Sequence, residues 1–265
     1  MSEPAPRRLG RRPAREPKLP SERDWERSAV LEPRAAPRYP ELVSDGAALS
    51  FPPGALAGPP APLDPEDPAV RALRTYLATR ATPKRTSRAR WKRGADAPAP
   101  PSVDGWRLLA RADGEVLFGR GRPPQLLIVT LRKNALRRNW TCTSSGVARP
   151  LRATRDGIRA SSWRLDPAQE IKPQETVLRV LLTEQAFASG QSADGRVLPP
   201  DLHVDGKELV LTLFVTPRPG YQTATRNPET PVRIALAEPV GRRRLLDGAL
   251  TFAPPGTGAP ASPSD

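Results

Sequence analysis

A chain of 265 residues with 35 prolines, 19 glycines and only 37% apolar residues is not expected to pack along its whole length, so folded and extended segments should share it. Its one cysteine, Cys142, excludes an intramolecular disulfide, and the prolines of its longest uncharged run, 46–63, exclude a membrane-spanning helix there. The net charge of +14 favours polyanionic partners such as nucleic acid.

Residues 1–63 alternate charge with proline and are expected to form a disordered, basic, Pro/Arg-rich arm in which Trp25, Tyr39 and Phe51 are incidental aromatics. The arginine pairs near its start have no apolar run behind them, so neither a Sec nor a twin-arginine leader is expected, and the location read from this is cytoplasmic.

Residues 64–80 carry the one clear helix signal, a short amphipathic helix. Asp67 can cap it, Pro68 suits its first position, and Val70, Leu73, Tyr76 and Leu77 fall on one face. About three turns are marginal alone, so this helix should brace the domain that follows.

A basic linker, 81–102, comes next. The stretch 80–93 holds Arg80, Lys84, Arg85, Arg88, Arg90, Lys92 and Arg93, seven basic residues in fourteen with no acid, and Trp91 sits among them. Guanidinium groups pair with phosphates and an indole stacks on bases, so the cluster is a candidate polyanion-binding segment. The plainer reading is a solvated linker.

From 103 the pattern changes to short apolar runs separated by turn formers. Strands are predicted at 106–112 and 115–119 around an Asp113-Gly114 turn, at 125–132, 138–143 and 158–165, then at 177–183, 202–204, 209–216, 232–236 and 243–246. Such a series predicts a mainly β fold, a single β-sandwich of immunoglobulin-like or related type over 103–252, followed by a disordered tail, 253–265.

Two loops inside that domain concentrate polar residues. Glu184, Gln185, Ser189 and Gly190 follow one strand, and Gln222, Thr223, Asn227 and Pro228 fill the other loop. They are candidates for a ligand-binding loop surface, although turn formation and the satisfaction of backbone amides account for the same residue types.

The segments GWRLLARADGEVLFGRG, ATRDGIRASSW, TEQAFASGQSADGRVLPP and PRPGYQTATRNPETPVRIALAEPVGRRRLLDG together resemble an uncharacterised family of small all-β proteins from high-GC Gram-positive bacteria. The resemblance covers most of 104–248. It implies a β fold and no known activity. Many members are secreted or lipoprotein-like, and they often carry cysteine in both polar loops. Here Phe187 and Ala224 stand in those loops.

His203 is the only histidine, and both it and Cys142 fall in strand-like runs, which argues against Cys-His, Ser-His-Asp and zinc chemistry. The Gly119 and Gly121 pair lacks the rest of a dinucleotide loop. Glu184 with Asp201 is the candidate carboxylate pair for a hydrolase. The function expected is non-enzymatic: a binding or scaffolding β-domain for a protein or small ligand, without cofactor or metal, carrying a polyanion-attracting arm. The alternatives are a nucleic-acid-associated protein using 80–93 and a carboxylate-based hydrolase.

Overall fold

The computed structural model describes residues 19–46, 49–81, 102–136 and 139–250, and it is mainly β. A short helix α1 (Glu22–Arg27) leads into three small strands, β1 (Val30–Leu31), β2 (Arg34–Ala35) and β3 (Leu42–Ser44), a 3-10 turn at Pro53–Leu56 and helix α2 (Pro68–Ala81). Four longer strands follow: β4 (Trp106–Ala112), β5 (Glu115–Arg120), β6 (Leu127–Lys133) and β7 (Trp140–Val147). Next come β8 (Arg152–Arg155), β9 (Ile158–Arg159), β10 (Ser162–Leu165) and β11 (Val177–Thr183). The last four are β12 (Asp201–Val204), β13 (Glu208–Thr212), β14 (Thr230–Ala235) and β15 (Arg244–Asp247).

Strands β4 to β7 form an antiparallel meander in chain order. Ala112 pairs with Glu115 across the two-residue Asp113-Gly114 turn, where Gly114 has φ +73°, a conformation that suits glycine. Both faces of this sheet are apolar, so both need covering. On one, Trp106, Val116, Phe118, Val129 and Leu131 meet Ala69, Val70 and Leu73 of α2. The helix starts as its sequence predicts: the Ala69 amide donates to Asp67 Oδ1 at 2.8 Å. On the other face Leu109, Leu117, Leu126 and Ile128 pack against Val43, Phe51, Leu56 and Leu151. Val116 and Phe118 point one way and Leu117 the other, the period-two alternation of a strand.

Two further sheets, ordered β1-β14-β11-β10 and β15-β13-β12-β2, share one core. Leu178, Val180 and Leu182 of β11 and Val232 and Ile234 of β14 face Leu202 of β12 and Leu209 and Leu211 of β13. A three-stranded sheet, β3-β8-β9, completes the set of four among the described residues.

The arm expected to be disordered over 1–63 is folded in its described part, 19–46 and 49–63. Trp25 is buried, as are Val43 and Phe51. Strand β1 pairs in parallel with β14, β2 in parallel with β12, and β3 antiparallel with β8, so residues 22–44 tie three sheets together as one strap. Val43, Phe51 and Leu56 share a core with residues of β4 to β6, so packing crosses residue 103, and α2 is one of two α-helices among the described residues rather than a single one.

Proline hides this from sequence reading. Pro33, Pro37 and Pro40 cut the strap into pieces of two or three residues, too short to show a period. Arginines of the body bond to carbonyls of the strap and of the 3-10 turn that follows it. Arg233 donates to Glu26 O and Ser28 O at 3.2 and 2.9 Å, and Arg107 to Ala55 O, Ala57 O and Gly58 O at 3.1 to 3.3 Å. Residues 1–18, most of the linker and the tail expected at 253–265 lie outside the described residues.

Candidate functional site

The structure brings the two polar loops together. Glu184 leaves the end of β11 and its carboxylate is buried, accepting from Arg196 Nη1 at 2.9 Å and Nη2 at 2.6 Å. Arg196 also reaches Thr216 O at 2.7 Å and Ser192 O at 3.0 Å. Gln185 Nε2 donates to Ser162 Oγ at 3.0 Å.

Ser189 joins the loops. Its hydroxyl donates to Gln222 Oε1 at 2.9 Å and accepts from the Thr223 amide at 3.0 Å. Asn227 closes the other side: Oδ1 accepts from the Ala188 amide at 3.2 Å, while Nδ2 donates to Glu184 O at 3.1 Å and Ala186 O at 2.6 Å. Ser189 and Gly190 both adopt positive φ, +52° and +72°. A Cβ on Gly190 would stand 3.0 Å from Thr225 Cγ2, so the loops approach closely at that point.

All six candidate residues of the loop surface therefore take part in hydrogen bonds that hold the loops to each other or to the sheets. Outward the loops present two large aromatics beside exposed polar residues such as Thr223 and Arg226. Phe187 is 58% exposed and Tyr221 93% exposed. Neither aromatic stands out in the sequence, because each is a lone ring among turn formers.

Of the basic cluster, Arg80 lies in the described residues. It sits on the last turn of α2, with Nε 3.0 Å from the Tyr76 hydroxyl, Nη2 3.2 Å from Ser145 Oγ and its guanidinium 5.7 Å from the Tyr76 ring centroid. Arg80 thus helps fasten the helix to β7. Lys84, Arg85, Arg88, Arg90, Trp91, Lys92 and Arg93 lie outside the described residues.

A third feature was not legible in the sequence. The strap walls a cavity of about 310 Å³ lined by Arg34, Arg38, Thr154, Arg155, Asp201 and Phe214, among others. Asp201 accepts from both Arg34 and Arg155, and the Arg155 guanidinium lies 4.4 Å from the Phe214 ring centroid. Glu208 likewise takes two guanidinium groups, from Arg38 and Arg244. With Glu41 and Asp156 also in its wall, the cleft balances its arginines with carboxylates. The strap residues Arg34, Arg38 and Glu41 lie over a hundred positions from the others in the chain, and no local spacing connects them.

The carboxylates suggested for a hydrolase do not converge on one another. Glu184 is held by Arg196, and Asp201 by Arg34 and Arg155. Cys142 lies on β7 of the meander, its thiol donating to Ser144 O at 3.4 Å, whereas His203 lies on β12, 3.8 Å from Asp205. No group of three metal-ligating side chains occurs among the described residues, and no described helix is long and apolar enough to cross a membrane. The chain matches no protein-family model, no curated protein and no solved structure.

Proposed function

We propose that this protein is a non-enzymatic binding or scaffolding β-domain whose basic segment 80–93 attracts a polyanion. The facing sheets β1-β14-β11-β10 and β15-β13-β12-β2 are, in this proposal, its sandwich, and the resemblance to the high-GC Gram-positive family belongs to the same reading. One observation carries it: two loops cross-tied by Ser189 and Asn227 hold Phe187 and Tyr221 out to solvent. Exposed aromatics on a pre-ordered support bind partners at low entropic cost, and aromatics dominate interface energetics. The pairing of Glu184 and Asp201 with arginines supports a binding role over acid-base chemistry.

The test is capture on the tagged full chain from its native lysate, with and without nuclease, beside a Phe187→Ser/Tyr221→Ser variant. A stoichiometric protein that survives nuclease and is lost with the variant is the expected result. Capture unchanged by the two substitutions would remove these loops from the binding surface.

The second reading, nucleic-acid association, rests on the acid-free run of seven basic residues around Trp91. Truncation to residue 102 would not test it, because that cut also removes the strap and α2. Substitution within 84–93 leaves both in place.

A further inference from the structure

The sheet β3-β8-β9 gathers three arginines. Arg152 lies on β8, Arg159 on β9 and Arg149 just before β8. Arg159 donates to carbonyls, Ser44 O at 3.3 Å from Nε and Pro150 O at 2.6 Å from Nη2, and Arg152 Nη1 reaches Ser161 O at 3.4 Å. Carbonyl oxygens orient a guanidinium without neutralising it. Among the described residues no carboxylate lies within ion-pair distance of Arg149 or Arg159, and Arg152 has Asp247 at 3.9 Å.

Gly46 shows where the guanidinium groups aim. It follows β3 with φ +94°, and the point where a Cβ would sit is 3.8 Å from Arg149 Nη1 and 3.8 Å from Arg159 Nη1. The two nitrogens therefore cannot be further apart than twice that distance. Burial lowers the pKa of Arg159, with the positive charges of Arg152 and Arg149 adding to the effect and Asp45 opposing it. Burial lowers that of Arg152 as well, opposed by Asp247. The fold therefore holds like charges together and partly out of water, an arrangement that a bound anion relieves.

We propose that Arg149 and Arg159 clamp a phosphate-type oxyanion over Gly46. Two guanidinium groups set apart by a glycine turn offer N–H donors to separate oxygens of one tetrahedral anion, and a residue with a Cβ would fill the cradle. The anion is either a free phosphate or one phosphate of a polynucleotide backbone. This site lies on the folded body and does not depend on segment 80–93.

The experiment titrates the full chain with inorganic phosphate, and separately with a single-stranded oligonucleotide, at constant ionic strength set with chloride. Calorimetry and thermal unfolding give the readouts. Arg149 is exposed, so Arg149→Gln should fold normally. It is expected to weaken phosphate binding about tenfold or more, the loss of one charge-assisted hydrogen bond. The exposed Arg242→Gln is the control and should match the wild type.

Phosphate that binds saturably and competes with the oligonucleotide in an Arg149-dependent way identifies the backbone as the source. Phosphate binding without oligonucleotide binding identifies the free anion. Absence of saturable binding to either probe, or affinity equal in Arg149→Gln and wild type, overturns the site.

Discussion

Arg196 holds the buried carboxylate of Glu184 with both terminal nitrogens, at 2.9 and 2.6 Å, and reaches the carbonyls of Thr216 and Ser192 with the same two atoms. One guanidinium thereby fixes the start of the 184–190 loop against the chain that follows it. Removing one partner of a buried pair leaves the other uncompensated, at about 3 kcal/mol or more. Glu184→Ala should lose that much in urea unfolding, and Glu184→Gln, which keeps an acceptor, should lose less. Stability equal to wild type in Glu184→Ala would show that the pair is not structural.

Trp25 makes the strap part of the fold. Its ring is buried, with the Arg179 guanidinium 5.5 Å from its centroid and Arg179 itself paired to Glu22. Trp25→Ala is expected to cost about 3–5 kcal/mol, the usual range for a buried tryptophan. Denaturant unfolding measures the cost. A loss below about 1 kcal/mol, the size of a surface change, would mean that the strap adds little to the folded state.

Two carboxylates should give opposite pH signatures. Burial raises the pKa of Asp247, against the opposing effects of the Ala249 amide, Arg152 and Trp163. A folded pKa above the unfolded one favours the protonated form, so this contribution is present in acid and fades as pH rises from the ordinary aspartate range through the raised value. Asp247→Asn, always neutral, should therefore gain stability relative to wild type across that window.

Glu229 behaves the other way. Its hydrogen bonds to Arg164, both 2.7 Å, lower its pKa against the effect of burial. Its contribution is present above the ordinary glutamate range and is lost as pH falls through the lowered value. The deficit of Glu229→Gln should accordingly shrink in acid. Unfolding free energies between about pH 3 and pH 7 check both signs, and a pH-independent difference in either variant would contradict its assignment.

Local chemistry was legible in the sequence where one short stretch decides the outcome. Asp67 and Pro68 mark the start of α2, and Asp113-Gly114 marks a two-residue hairpin turn. The apolar runs of β6, β11 and β13 announce buried strands, with the ends of β11 placed correctly and those of β6 and β13 displaced. Strand β8, Arg152–Arg155, escaped notice because charged residues bracket its two buried positions. The strap escaped because its order comes from distant arginines and sheet edges, which no spacing within 19–63 reveals. For the candidate site, the residue types pointed to hydrogen bonding within the loops, but not to the meeting of the two loops or to their exposed aromatics. Ser189, Gln222 and Asn227 bind the loops to each other, and Phe187 and Tyr221 stand exposed on them.

The most direct test of the binding reading is the affinity of the full chain for a single-stranded oligonucleotide as salt is raised. The comparison is a variant with Lys84, Arg85, Arg88, Arg90, Lys92 and Arg93 replaced by serine. Binding through that segment should fall steeply with salt, at about 0.7 log units of affinity per log unit of salt for each phosphate neutralised. The variant should bind more weakly and with a visibly shallower slope. Affinity that ignores salt, or that six substitutions leave unchanged, would contradict a polyanion-attracting role for the segment.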